Sequence, residues 1–252
     1  MTDLPPVEAV RGAAVPVPDS EGRAFIHDLR NRLRQDKYVD VLDVDERCRY
    51  GATAAIAASL GGLTGAASGP LGGELTEVVT STTFDHNLAW HTDSTSWERP
   101  NRWQILTLIR PDELRRPAPT SILSWSTVLR AVSGESARTL GATTFGWREQ
   151  FPALTPLSAP VLGQFPRWLR PALGRHLETG GETRCEALVE LSEAIGTASD
   201  FVDAELTTTS ILVFDNHAVL HRGPHLDPDG GRAVIRLKLG GVVGDLGLGA
   251  TT

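Results

Sequence analysis

His91 and Asp93 stand two residues apart in Trp90-His91-Thr92-Asp93, and a second histidine, His221, follows 130 positions after the first. Residues i and i+2 of an extended segment point the same way, so one strand end or tight turn can aim an imidazole and a carboxylate at a single point. The third donor must then come from a strand far away in sequence and opposite in space. A chain that meets this demand closes strands around the point, as a β barrel does. Two histidines and one carboxylate on one face of an octahedral metal leave three positions open for other ligands.

The segment after the distal histidine sharpens this reading. Arg232 lies eleven residues beyond His221 and Arg236 four further, in Gly231-Arg232-Ala233-Val234-Ile235-Arg236-Leu237-Lys238-Leu239. The alternation predicts a strand with Arg232, Val234 and Arg236 on one face and Ala233, Ile235 and Leu237 on the other. A guanidinium fork facing inward from such a strand suits a bound carboxylate.

In this order, His91-x-Asp93, His221 and Arg232 resemble the Fe(II)/2-oxoglutarate-dependent dioxygenases of the taurine dioxygenase and clavaminate synthase-like group, over roughly residues 84–239. Trp90-His91-Thr92-Asp93 is the form of the first motif in taurine dioxygenase-like members. Leu108-Ile109-Arg110-Pro111-Asp112 is similar to a segment of the clavaminate and amino-acid hydroxylase branch. Ala118-Pro119-Thr120-Ser121 falls where the family places a threonine on 2-oxoglutarate, and Val213-Phe214-Asp215-Asn216 resembles the usual run into the distal histidine. The chain departs from the pattern in being short and in carrying Asp93 where the clavaminate-like branch often has glutamate, so its branch is mixed.

The resemblance implies an α+β, mostly β fold: a double-stranded β-helix (jelly-roll, cupin-like) core with flanking helices. It implies Fe(II), 2-oxoglutarate and O2, with His91, Asp93 and His221 as iron ligands and catalytic centre. Arg232 and Thr120 would hold the far carboxylate of 2-oxoglutarate, Asn87 would lie near substrate and cosubstrate, and Arg236 would grip an anionic group of the substrate. Which arginine takes 2-oxoglutarate stays open between Arg232 and Arg236. Trp97, four residues past the ligand turn, is expected as a substrate wall, with Ser94 in the same turn. The implied reaction is hydroxylation of an unactivated C–H in a small polar substrate, an amino acid or derivative in secondary metabolism, with release of succinate and CO2. Halogenating relatives replace the ligand carboxylate by a small residue, and Asp93 argues against that outcome. Desaturation, ring closure and epimerisation depend on substrate placement and stay open, as do an anionic sulfonate or phosphate substrate and one bound to a carrier protein. Two other classes compete. A metalloenzyme with this triad but no 2-oxoglutarate leaves the inward Arg232 unexplained, and a barrel-shaped binding protein with a degenerate site leaves the intact triad unexplained.

Composition bounds the rest. At 252 residues with 40% hydrophobic residues, the chain suits one domain. The formal net charge of −7 argues against a nucleic-acid or anionic-membrane surface. Cys48 and Cys185 alone give no disulfide framework. No apolar run reaches the roughly 18 residues of a membrane span, and residues 1–19 lack a basic start followed by an apolar stretch and read as an extended arm. A cytoplasmic location is the expectation. Helices are expected from Ser20 through Leu33, over Cys48–Leu60, over Ser126–Val132 and over Arg184–Leu206. Strands are expected over Leu75–Thr83, Trp103–Ile109, Ser121–Trp125 and Ser210–Phe214, and Pro152–Leu173 reads as irregular. The Gly-rich stretch from Gly61 to Gly73 lacks a Gly-Lys-Ser/Thr ending and is expected as a loop. His217, His221 and His225 lie four apart, but Asn216 and Gly223-Pro224 break the helix a zinc face would need.

Overall fold

The computed structural model describes residues 20–60, 74–79, 89–111, 113, 119–148, 156–178, 184–224 and 231–240. In chain order these form α1 (Ser20–Asp36), β1 (Tyr38–Val41), α2 (Arg49–Ser59), β2 (Glu74–Val79), β3 (Trp103–Arg110), β4 (Pro119–Ser124), α3 (Trp125–Leu129) and α4 (Gly134–Ala142). Then come β5 (Thr144–Gly146), β6 (Ser158–Pro160), α5 (Arg170–Leu177), α6 (Glu186–Thr197), β7 (Val202–Glu205), β8 (Ile211–Asp215), β9 (Val219–Arg222) and β10 (Ala233–Leu239). The Gly61–Gly73 stretch, Asn87 and His225 lie outside the described residues.

An antiparallel five-stranded sheet in the order β1-β8-β3-β10-β2 faces a three-stranded one in the order β7-β4-β9. Strand periodicity explains how both are buried. Leu106, Leu108, Leu212, Phe214 and Val234 leave the large sheet inward and meet Ile122, Ala204 and Val219 of the small one. The alternate residues Trp103, Ile105, Ile211, Val213, Leu237 and Leu239 face outward and are covered by Leu29 and Leu33 of α1 and Ile56 and Ala57 of α2. That two-sided cover is why β3 reads as apolar on both faces. Leu123 and Leu220 leave the small sheet outward, under Trp125, Leu140, Leu173, Leu188, Leu191 and Ile195 from α3 to α6. Each fully buried Leu or Ile contributes about 1.5–3 kcal/mol of transfer free energy.

Two sequence expectations change. The helix expected over Arg184–Leu206 stops at Thr197, and Val202–Glu205 is strand β7, with Ala204 opposite Thr120 of β4. The cause is local: Gly196, Thr197 and Ser199 are weak helix formers, and beyond them burial alternates, with Ala204 and Leu206 inside and Asp203 and Glu205 outside. In Pro152–Leu173, Ser158–Pro160 pairs with β5, and Pro171 opens α5 within its first turn, where its missing N–H costs nothing.

Gly231, just before β10, has φ +66 and accepts a hydrogen bond on its carbonyl from Arg110 Nε. An added Cβ meets Arg110 Nε at 3.5 Å, ordinary contact, so the penalty comes from the backbone. Gly231→Ala is expected to lower unfolding free energy by about 1–2 kcal/mol. Urea unfolding followed by tryptophan fluorescence checks this.

Candidate metal centre

The first motif arrives on an irregular strand end held by main-chain bonds to β9. His91 N donates to His221 O and His221 N to His91 O, both at 2.9 Å, in a single antiparallel bridge. Two residues that are 130 apart in sequence thus become neighbours, and their rings lie 4.2 Å apart between centroids. Asp93 follows in the turn, where Ser94 adopts the left-handed region at φ 57. Ser94, expected against substrate, gives its hydroxyl to Asn101 Oδ1 at 2.8 Å.

His91, Asp93 and His221 are all buried, and their ligand atoms lie within 4.8 Å of one another. His221 Nε2 is 3.8 Å from Asp93 Oδ2, inside the roughly 4 Å that two metal–ligand bonds of about 2.0–2.2 Å span. His91 Nδ1 lies 2.8 Å from Ala89 O. Donation of its proton there leaves the lone pair on Nε2, the usual arrangement for a metal-bound imidazole. Asp93 Oδ2 is buried and makes no hydrogen bond among the described residues. An orphaned carboxylate oxygen beside two imidazoles fits a divalent cation.

The charge states fit as well. Burial opposes ionisation of Asp93, but Lys238, Arg236 and the two histidines outweigh it and hold the carboxyl well below the usual carboxylate range. Burial pushes His91 and, more strongly, His221 below the ordinary imidazole value. The neighbouring His91 adds to the effect on His221, and Asp93 opposes both shifts. The fold therefore favours a carboxylate and two neutral imidazoles, which are the forms that bind metal.

β10 supplies the cations as the alternation predicts. Val234 is inside, Arg232 is buried, and Arg236 Nη1 lies 3.6 Å from Asp93 Oδ2. Lys238 carries the same alternation one step further, 3.8 Å from Asp93 Oδ1 and 5.6 Å from the centroid of the Trp97 ring. The sequence reading stopped at Leu237 and missed it, although the period of two that turned Arg236 inward also turns Lys238 inward. Thr120 is buried on β4, on the inner face with Ile122.

Two further residues were missed. Asn216, in the β8–β9 turn, accepts from Asp93 N at 2.8 Å and donates to Asp93 O at 3.2 Å and Asn101 O at 2.9 Å. It ties the turn that carries one ligand to the hairpin that carries another. Arg167, buried, donates to the carbonyls of Thr95 and Trp97 at 2.6 and 2.7 Å and to that of Glu98 at 2.9 Å, while Arg148 Nε reaches Ser96 O at 2.6 Å. Burial and the nearby Arg148 charge bring the Arg167 guanidinium down to about 10. These bonds brace the loop that presents Trp97. Asn216 lay within the run that the sequence singled out, but nothing in the spacing marks Arg167.

Two facing antiparallel sheets thus surround a buried His–Asp–His triad that could hold one metal ion. The chain shares its fold with solved non-haem iron oxygenases. Among solved structures, it is similar to asparagine oxygenase in complex with Fe(II), 2S,3S-3-hydroxyasparagine and succinate. The TM-score is 0.66 at 18% identity, covering 86% of this chain and 79% of that one. It is also similar to the non-heme iron oxygenase OrfP in complex with Fe and alpha-ketoglutaric acid, with a TM-score of 0.61 at 14% identity over 89% and 81% of the two chains. OrfP in complex with Fe, succinate and (3S)-hydroxy-L-Arg gives a TM-score of 0.62 at 14% identity over 89% and 82%. No protein-family model and no curated sequence matches the chain. No helix among the described residues is long and apolar enough to cross a membrane.

Proposed function

We propose that this protein is an Fe(II)/2-oxoglutarate-dependent oxygenase that hydroxylates an unactivated C–H of a small amino-acid-like substrate, on a double-stranded β-helix core. The observation that carries the reading is the buried, bridge-locked triad of His91, Asp93 and His221 with an unsatisfied carboxylate oxygen. Buried Arg232, just before β10, supports the cosubstrate class. Iron with 2-oxoglutarate and O2 supplies oxidative decarboxylation to succinate and CO2 coupled to oxygen insertion into a C–H bond.

The residues divide the remaining work. His91, Asp93 and His221 hold the ion on one face and leave the opposite face to the reactants. Arg232, with the Thr120 hydroxyl, takes the far carboxylate of 2-oxoglutarate in a charge-assisted pair. Asn87 is assigned a place near both reactants on the family resemblance alone. Arg236 meets an acidic group of the substrate, and Trp97, braced by Arg167 and Arg148, forms a wall beside it. Asparagine and arginine derivatives bound to the similar oxygenases favour a free amino acid over other small acids.

Anaerobic titration with Fe(II) and 2-oxoglutarate tests the reading. A weak visible charge-transfer band is expected with wild type and absent with His221→Ala. Fe(II) binding without the band would point to the triad working without 2-oxoglutarate. Arg232→Ala is expected to weaken 2-oxoglutarate by about 2–5 kcal/mol, roughly 30-fold to several thousand-fold, with the Fe(II) affinity little changed. If only substrate affinity fell, Arg236 would be the cosubstrate residue.

A further inference from the structure

We propose that Lys238 is a second anion-gripping residue of the site, and that metal loading turns it, with Arg236, from Asp93 toward an oxyanion of the substrate. This rests on the metal reading above and assigns the substrate an acidic group, carboxylate or sulfonate, next to the reacting carbon.

The geometry is one carboxylate engaged from both sides. Arg236 Nη1 stands 3.6 Å from Oδ2 and Lys238 Nζ 3.8 Å from Oδ1. Both cations leave the inner face of β10 at positions i and i+2, so the strand fixes their separation. The Lys238 side chain is only 9% exposed, and its ammonium lies over the Trp97 ring at 5.6 Å, an arrangement that favours a cation. Trp97 is itself held by the Arg167 bond to its carbonyl. A buried ammonium needs negative charge nearby, and Asp93 supplies part of it.

A divalent ion on Asp93 changes that balance. It draws the carboxylate charge to itself and repels two cations that sit within 4 Å of the ligand oxygens. An oxyanion placed between the Arg236 fork and the Lys238 point charge restores the balance, with donor geometry suited to at least two acceptor oxygens. Metal and oxyanion therefore raise each other's affinity by the same factor, as linkage requires.

The test is Mn(II) titration of the full chain at saturating 2-oxoglutarate, in sulfate or in chloride at equal ionic strength, for wild type and Lys238→Met. Sulfate is expected to tighten Mn(II) binding to wild type by about fivefold or more, and to that of the variant by less than about twofold. In chloride the variant is expected to bind Mn(II) more tightly than wild type, because a repelling charge is gone; loss of mere packing would weaken it instead. Lys238→Arg is expected to restore the sulfate dependence, and Lys238→Gln serves the same comparison if the methionine variant does not fold. Mn(II) binding with equal sulfate dependence in wild type and Lys238→Met overturns the assignment alone. No Mn(II) binding to wild type overturns the metal reading and the linkage with it.

Discussion

Asp93→Asn is expected to weaken Fe(II) or Mn(II) binding by more than about 100-fold, beyond the roughly 10- to 100-fold that losing an outer partner of a metal ligand costs. The amide keeps the volume and removes the charge that the donor set depends on. The metal-free protein should respond too. Asp93 is buried beside Arg236 and Lys238, and breaking a buried ion pair from one side costs up to about 3–5 kcal/mol. Isothermal titration with Mn(II) and urea unfolding of the metal-free protein separate the two effects. Unchanged Mn(II) affinity would remove Asp93 from the ligand set. The histidines add a pH dependence of known sign. Burial lowers His91 and His221 in the folded state, so the unfolded chain binds more protons as pH falls through the ordinary histidine value near 6.5. Their contribution to stability is thus present above that pH and lost below it. The melting temperature of the metal-free protein, followed from about pH 8 to 5.5, checks this.

Asn216→Ala has the second large effect, although the residue donates nothing to a metal. Asn216 is 1% exposed, and its amide serves Asp93 N, Asp93 O and Asn101 O. Truncation strands up to three buried main-chain groups at about 1–3 kcal/mol each, so a loss of roughly 3–5 kcal/mol is expected. Asn216→Asp is no rescue. It keeps the acceptor for Asp93 N but turns a carboxylate oxygen toward two carbonyls. Metal affinity should fall with stability in both variants, because the turn that carries Asp93 is no longer tied to the hairpin that carries His221. If both variants unfold like wild type, the tie is redundant, and the Asp93 turn is held by Thr92 instead, whose N–H and hydroxyl meet Trp168 O and N at 2.9 and 3.0 Å.

The triad was legible because its signal is local chemistry at fixed spacing. His-x-Asp and an alternating strand constrain side-chain direction wherever they occur, so Arg232, Val234 and Arg236 could be placed on one face. α1 and β3 were legible for the same reason, their apolar residues recurring at the period of the element that buries them, and α2 from its Ala-rich apolar run. What the spacing did not carry was pairing. Val202–Glu205 is short, and Thr120 on β4 completes it as a strand; without that neighbour the stretch reads as a continuation of α6. The helix α4 is capped by Ser133, whose own N–H and hydroxyl are held by Glu190 of α6, a partner 57 residues away. Arg167 looks like any surface arginine until the fold gathers the carbonyls of Thr95, Trp97 and Glu98 around it. These residues are defined by what arrives from elsewhere in the chain.

The main-chain bridge between His91 and His221 has a consequence for how such a protein can change. The bite of the two imidazoles is set by a pair of peptide groups, which every residue type shares. On the proposed function, substitutions that reshape Trp97 or the residues around Lys238 alter which molecule is admitted without moving the two histidine backbones relative to each other. The reactive centre and the selection of what reacts are thus separable in this scaffold. Directed evolution confined to the walls should therefore yield new substrates while metal affinity stays near its starting value.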